Sequence, residues 1–149
     1  MRIIKRLSPF LVAYYGIIQA LHFVILTGAM VSFSRTGSLG FPAQPPPDGW
    51  SVQTQAFLIT TGAIDASNVV LVLIFVYGYF RHRPWCWTFG TISLTVVMYS
   101  VVLFTSGTVA ASAWTAHPVG YVSIAVAYIP IFLLLLLYPH MKTMALNVE

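Results

Sequence analysis

Charged residues are scarce in this chain of 149 residues. Only 7% of its residues are charged while 58% are hydrophobic, and its mean hydropathy is +0.85. A soluble domain is usually about 25% charged, so the composition excludes an ordinary soluble domain. Seven Lys and Arg outnumber three Asp and Glu, but they form no clustered basic face, which excludes a nucleic-acid-binding protein.

Cysteine is almost absent as well. Cys86 is the single cysteine of the sequence, which excludes an internal disulfide and a redox-active thiol pair within the chain. The sequence also contains no catalytic, metal-binding or cofactor motif of known specificity. It therefore predicts membrane architecture better than biochemical activity, and we expect no metal site.

Long apolar segments are what the sequence does contain. A helix needs about 20 predominantly apolar residues to cross the hydrocarbon core of a membrane. Four segments meet this length, at about residues 9–33, 52–80, 85–107 and 118–138. We expect one all-α membrane domain over residues 1–149, built as a four-helix transmembrane bundle.

The longest connection is the segment 34–51, between the first two spans. It contains Pro45, Pro46 and Pro47, followed by Asp48 and Gly49. This composition cannot continue a helix, so it predicts an extended, polyproline-like loop outside the membrane that is closed by a turn.

The basic residues predict an orientation. Lys and Arg near the ends of spans concentrate on the cytoplasmic side of a membrane. With the N-terminus inside, only Arg35 lies outside, and the other six basic residues lie inside: Arg2, Lys5, Arg6, Arg81, Arg83 and Lys142. We therefore expect both termini to be cytoplasmic, in a multi-pass protein of the cytoplasmic (inner) membrane.

Two ionisable residues lie far from the ends of their spans, His22 in the first and Asp65 in the second. Each belongs to a polar stripe with the helical spacing i, i+4, i+7. The two stripes are Tyr15, Gln19 and His22 on the first helix and Thr61, Asp65 and Asn68 on the second. Ionisable groups inside a membrane are costly, so these residues are the first candidates for function.

The estimated depths of the polar residues in the membrane place the two stripes in one candidate site. With a rise of ~1.5 Å per residue, polar residues of all four helices fall at a similar depth. The predicted ligand-binding residues are Gln19, His22, Asp65, Asn68, Tyr99 and Ser123. If the protein is an enzyme, Asp65 and His22 are its predicted acid and base; the alternative is that their hydrogen bonds only fix the packing of the helices.

The positions of the histidines limit which cofactors the chain could hold. His82, His117 and His140 lie near the ends of the predicted spans, so the chain has no second deep histidine to pair with His22. Haem or chlorophyll could be held only by His22 alone or together with a ligand from a partner subunit. The motifs themselves predict no cofactor.

Three functions follow from this architecture. We place first a non-catalytic accessory or scaffold subunit of a larger membrane complex, able to hold a lipid, quinone or pigment. Its expected partners are the bilayer and either other membrane subunits or further copies of itself. The alternatives are a small membrane enzyme or ligand-binding protein acting on a lipophilic substrate through Asp65 and His22, and a proton-coupled transporter that uses Asp65.

Overall fold

A computed structural model describes residues 2–40 and 42–146 of the chain. All regular secondary structure within those residues is helical. The helices are α1 (Arg2–Thr36), α2 (Val52–Phe80), α3 (Cys86–Ala110), the single turn α4 (Ala113–Ala116) and α5 (Pro118–Leu146).

Four of these helices are long and apolar enough to cross a membrane. Their candidate spans are Arg6–Thr36, Val52–Phe80, Cys86–Ala110 and Pro118–Ala145, of 31, 29, 25 and 28 residues. Each exceeds the roughly 20 residues that the hydrocarbon core requires. The prediction of a four-helix, all-α chain is confirmed, and the four helices are consistent with an integral multi-pass membrane protein.

Local sequence signals set the helix ends. Ser51 is the N-cap of α2, where its hydroxyl accepts a hydrogen bond from the Thr54 amide at 3.1 Å. Pro118 opens α5, a position at which the missing amide hydrogen costs nothing. Beyond the end of α1, Gly37 adopts a positive φ of 67° and its amide donates to the Phe33 carbonyl. Glycine suits this left-handed end of a helix because it has no Cβ.

The first and last helices are longer than the apolar segments that predicted them. α1 begins before Pro9 and ends at Thr36, and α5 continues past Pro139 to Leu146. Hydropathy marks only the part of a helix that suits hydrocarbon, whereas backbone hydrogen bonding continues into polar flanks. The predicted loop 34–51 is shortened accordingly, because residues 34–36 are helical.

α1 is central to the packing of the bundle, because it contacts both α2 and α5. The Tyr79 hydroxyl of α2 donates to the Ser8 hydroxyl of α1 at 2.9 Å, and the Tyr14 hydroxyl of α1 donates to the Ala127 carbonyl of α5 at 2.8 Å. α2 also packs along α3. Consecutive long helices therefore run antiparallel, and both described ends of the chain lie at one end of the bundle.

That end of the bundle, which we call the terminal end, is packed with aromatic side chains. Tyr138 of α5 lies edge-on to Phe75 of α2 and to Trp87 of α3, with ring centroids 6.0 and 5.5 Å apart. The Tyr138 hydroxyl also donates to the Trp87 carbonyl. Gly90 makes this approach possible, since a Cβ at this position would lie 2.7 Å from the Phe75 ring.

The opposite end, which we call the loop end, is covered by residues 37–40 and 42–51. This segment contains the predicted turn, in which the Gly49 amide donates to the Pro46 carbonyl at 2.8 Å. The segment also packs against the bundle. Leu39 and Ala43 are buried against the helices and only 6% and 4% exposed, because apolar residues within the loop find a surface to cover.

Gly90→Ala is expected to destabilise the bundle by about 1–3 kcal/mol, because the added methyl overpacks the contact with Phe75 and Tyr138. Gly28→Ala is the matched control: a Cβ at Gly28 meets nothing within 4 Å. Alanine favours a helix over glycine by about 1 kcal/mol, so the control should be neutral or slightly stabilised. Thermal unfolding in detergent measures both; equal unfolding midpoints would contradict the described packing.

Candidate functional site

The two polar stripes face the interior of the bundle. Five of their six side chains belong to residues that are at most 5% exposed: Tyr15, Gln19, Thr61, Asp65 and Asn68. The sixth, His22, is partly buried. Helical spacing alone brings each set to one face, and the packing of α1 on α2 turns the two faces toward each other.

His22 and Asp65 are in direct contact. Nδ1 of His22 lies 2.9 Å from Oδ2 of Asp65, and their side chains are 24% and 5% exposed. At this distance the two atoms share a proton, either as a histidinium–carboxylate pair or as a neutral hydrogen-bonded pair. The contact occupies one nitrogen of the imidazole and one oxygen of the carboxyl group.

Tyr128 of α5 is a third member of this site. Its hydroxyl lies 3.2 Å from His22 Nδ1, and the two rings meet edge-to-face with centroids 6.3 Å apart. Sequence reasoning missed Tyr128 because its Cα lies closer to the terminal end than Ser123. Helical side chains lean toward the N-terminus of their own helix. α5 begins at the loop end, so this lean carries the hydroxyl back to the depth of His22.

Asn68 connects the site to α3. Its side-chain amide donates to the Ser93 carbonyl at 3.0 Å, and the Tyr15 side chain lies beside Asn68 and Ser93. The buried face of α3 carries Ser93, Val97 and Ser100 at the same i, i+4, i+7 spacing as the two stripes. This spacing is the signal that could have identified Ser93 and Ser100 in the sequence.

Several buried polar atoms around the pair have no hydrogen-bond partner within the described residues. These atoms are Tyr15 Oη, Gln19 Nε2, Asp65 Oδ1, Asn68 Oδ1 and Ser100 Oγ. Buried polar groups are nearly always hydrogen-bonded, and an unpaired one costs about 1–3 kcal/mol. Five such atoms lie in one layer, so the described residues leave the hydrogen bonding of this layer incomplete.

A cavity of about 570 Å³ begins at this layer and extends toward the loop end. All four long helices contribute to its wall, which is mostly apolar. Near the terminal end, the polar groups that line it belong to His22, Asp65, Ser100 and Tyr128. The cavity therefore combines a long apolar wall with one polar end.

The loop closes the other end of the cavity. Leu39, Ala43 and Gln44 line it there, together with Tyr121 of α5. The Tyr121 hydroxyl donates to the Gln44 carbonyl at 2.8 Å, which ties the loop to the helix. The loop is thus a wall of the cavity.

The six predicted ligand-binding residues do not all meet. His22, Asp65 and Ser123 line the cavity, and Gln19 and Asn68 are buried just beyond it. Tyr99 lies on the outside of the bundle, 58% exposed, and does not join the group. The depth estimate did not include the direction of each side chain around the helix axis. This direction turns by about 100° from one residue to the next, so Ser100 points inward instead of Tyr99.

Ser123 lines the cavity with its hydrogen bond already made. Its hydroxyl donates to the Val119 carbonyl of its own helix at 2.7 Å. Such a bond to the preceding turn is common for serine in helices. The hydroxyl keeps its capacity to accept a hydrogen bond.

Within residues 2–40 and 42–146, no three or more His, Cys, Asp or Glu side chains are grouped so that they could hold a metal ion. Haem or chlorophyll would need an axial ligand such as His22. Nδ1 of His22 already contacts Asp65, which leaves only Nε2 for that purpose.

No family model, curated protein or solved structure matches the chain, so the geometry is the sole basis for a functional proposal.

His22→Ala is expected to destabilise the protein by about 1–3 kcal/mol, because it leaves the buried carboxylate of Asp65 without its partner. The double variant His22→Ala/Asp65→Ala removes both polar groups, so its loss should be smaller than the sum of the single losses. A coupling of about 0.5–3 kcal/mol is expected for groups in contact. Unfolding midpoints of the wild type, the two single variants and the double variant in one detergent give this coupling. If the losses of stability in the single variants add up to the loss in the double variant, the contact is contradicted.

Proposed function

We propose that the protein is an integral multi-pass membrane protein that binds one lipophilic ligand inside its helix bundle. The observation that carries this proposal is the cavity of about 570 Å³, which is apolar along its wall and polar at the end formed by His22 and Asp65. Ligand sites commonly have volumes of about 300–1,000 Å³, with apolar linings and a few polar groups that orient the ligand.

The unpaired atoms support a ligand over a purely structural role for the polar layer. A layer that served only to fix helix packing would be expected to pair its own donors and acceptors. Instead, Asp65 Oδ1 and Ser100 Oγ are buried, unpaired and belong to residues that line the cavity. The described residues therefore leave the hydrogen bonding of this layer incomplete, which supports a role beyond helix packing.

The outer surface of the bundle suits contact with lipid or with another membrane subunit. Large apolar side chains are exposed on several helices, including Ile17, Val24, Val119 and Leu136 at 65–79% exposure.

As a further part of the proposal, the protein holds its ligand as an accessory subunit of a larger membrane complex. Native mass spectrometry of the protein extracted in a mild detergent tests this part, because associated polypeptides add their masses to the ion.

A membrane enzyme is the second candidate, and the His22–Asp65 contact favours it. A carboxylate that holds one nitrogen of an imidazole leaves the other nitrogen free to exchange a proton with a substrate. Chemical conversion of the bound molecule by the wild type but not by a folded Asp65→Asn variant would make this candidate the better one. Binding without conversion would favour the first proposal.

The ligand proposal predicts that filling the cavity expels its occupant. Gly62 lines the cavity, and a Cβ at this position would meet only Leu26 at 3.5 Å. Gly62→Leu should therefore fold and direct its branched side chain into the space. We expect the wild type, extracted from its own membrane, to retain a defined small molecule in native mass spectrometry, and Gly62→Leu to lose it.

Gly28→Leu is the control for added apolar volume outside the cavity, since a Cβ at Gly28 meets nothing within 4 Å. It should keep the small molecule at the wild-type level. Equal occupancy in Gly62→Leu, or no bound molecule in the wild type, would contradict the proposal.

The proposed orientation places both termini in the cytoplasm and the loop outside, following the excess of Lys and Arg at the terminal end. In a Cys86→Ala background, a membrane-impermeant maleimide should label Ser38→Cys in intact cells. It should label Thr143→Cys only after permeabilisation, since both positions are exposed but lie at opposite ends of the bundle. The reverse labelling pattern would invert the proposed topology.

A further inference from the structure

We infer that the turn between α2 and α3 binds the phosphate of an anionic phospholipid, so that the protein has a lipid-binding site at the terminal end of the bundle. None of the turn residues 81–85 lines the cavity. Binding at the turn is therefore separate from the proposed binding of a ligand inside the bundle.

Positive charge is concentrated at the terminal end. The exposed basic residues there, within the described part of the chain, are Arg6, Arg81, Arg83 and Lys142. The two acidic residues of that part lie elsewhere, Asp48 in the loop and Asp65 inside the bundle, while Glu149 lies outside the described residues. Clusters of Lys and Arg at the ends of transmembrane helices attract anionic lipids. We therefore expect this end of the bundle to attract them.

The turn holds Arg81 and Arg83 close together. The amides of these two residues donate to the carbonyls of Tyr77 and Gly78, at 3.0 and 2.8 Å. His82, between the two arginines, has a positive φ of 51°, the left-handed conformation that reverses the chain. Two residues of chain span at most about 7 Å, so the long side chains of both arginines can reach one common group.

The guanidinium groups of the turn are available to a ligand. Arg81 and Arg83 are exposed, and no hydrogen bond or ion pair joins either side chain to residues 2–40 or 42–146. A guanidinium group presents its N–H donors in a planar fork that matches the oxygens of a phosphate. A phosphodiester has two free oxygens that share one negative charge, so two neighbouring arginines can bind it together.

Aromatic surface lies on the membrane side of these arginines. Tyr77, one helical turn before Arg81 and on the same face of α2, is 60% exposed. Trp85 is 40% exposed, and its ring packs over Gly78, where a Cβ would lie 2.6 Å from it. Tyrosine and tryptophan prefer the head-group level of a membrane. The order of the groups, charge outside and aromatic rings inside, matches the order of phosphate, glycerol ester and acyl chain in a phospholipid.

This order favours a lipid over a free phosphate ion. A free ion gains only from the charge of exposed arginines, which dissolved salt screens. A phospholipid also contacts Tyr77 and Trp85 through its ester groups and chains, and the bilayer holds it at the level of the turn.

Lipid titration of the full chain, purified in a mild detergent, tests the inference. Palmitoyl-oleoyl phosphatidylglycerol and palmitoyl-oleoyl phosphatidylcholine have the same acyl chains and differ in net charge. Native mass spectrometry resolves the protein with one bound copy of each. We expect phosphatidylglycerol to bind the wild type more tightly by roughly tenfold. Equal affinities would overturn the inference.

Two double variants locate the binding. Arg81→Gln/Arg83→Gln removes both guanidinium groups of the turn and should lower the preference to about twofold or less. Arg6→Gln/Lys142→Gln is the matched control, because it removes the same charge from exposed positions at the same end. It should keep most of the preference. An equal loss in both variants would overturn the site at the turn in favour of attraction to the whole surface. If the turn variant does not fold, the wild-type comparison still decides.

Two further measurements separate this site from other occupants. Gly62→Leu fills the cavity and should keep the preference for phosphatidylglycerol; its loss would place the lipid in the cavity and contradict the inference. Glycerophosphoglycerol, the same head group without acyl chains, should not displace the bound lipid at equal concentration. Displacement would identify a site for a free phosphate group and would overturn the phospholipid assignment.

Discussion

The contact between His22 and Asp65 is the constraint on which the rest of the account depends. An apolar bundle offers these side chains no water, so α1 and α2 must present them to each other for either to be accommodated. Their contact at 2.9 Å sets the rotation of both helices about their axes. Once this rotation is set, Tyr15, Gln19, Thr61 and Asn68 follow to the interior because they share the same helical faces.

The bundle divides at this contact into two parts of different character. Toward the terminal end, aromatic rings and the close approach at Gly90 leave a packed core around Phe75 and Tyr138. Toward the loop end, the helices separate around a cavity of about 570 Å³ that the loop covers. Close packing on one side holds the polar pair in place, and the cavity on the other side is the proposed ligand site. This asymmetry is the main structural argument for binding.

Composition and periodicity predicted the parts that depend on one helix at a time. Apolar length located the four long helices, and the i, i+4, i+7 spacing identified the faces that carry His22 and Asp65. The features that depend on several elements were not predictable in this way. Tyr128 reaches the site through the lean of its side chain, Tyr99 is turned outward by helix rotation, and the loop folds back because Leu39 and Ala43 find apolar surface to cover.

An experimental density map of the protein extracted with its native lipids and held in nanodiscs would test the central claim most directly. We expect elongated density inside the bundle, running from the loop residues Leu39 and Ala43 to a head group in contact with His22 and Asp65. A cavity filled by the protein's own side chains, or ordered lipid on the outer surface alone, would contradict it.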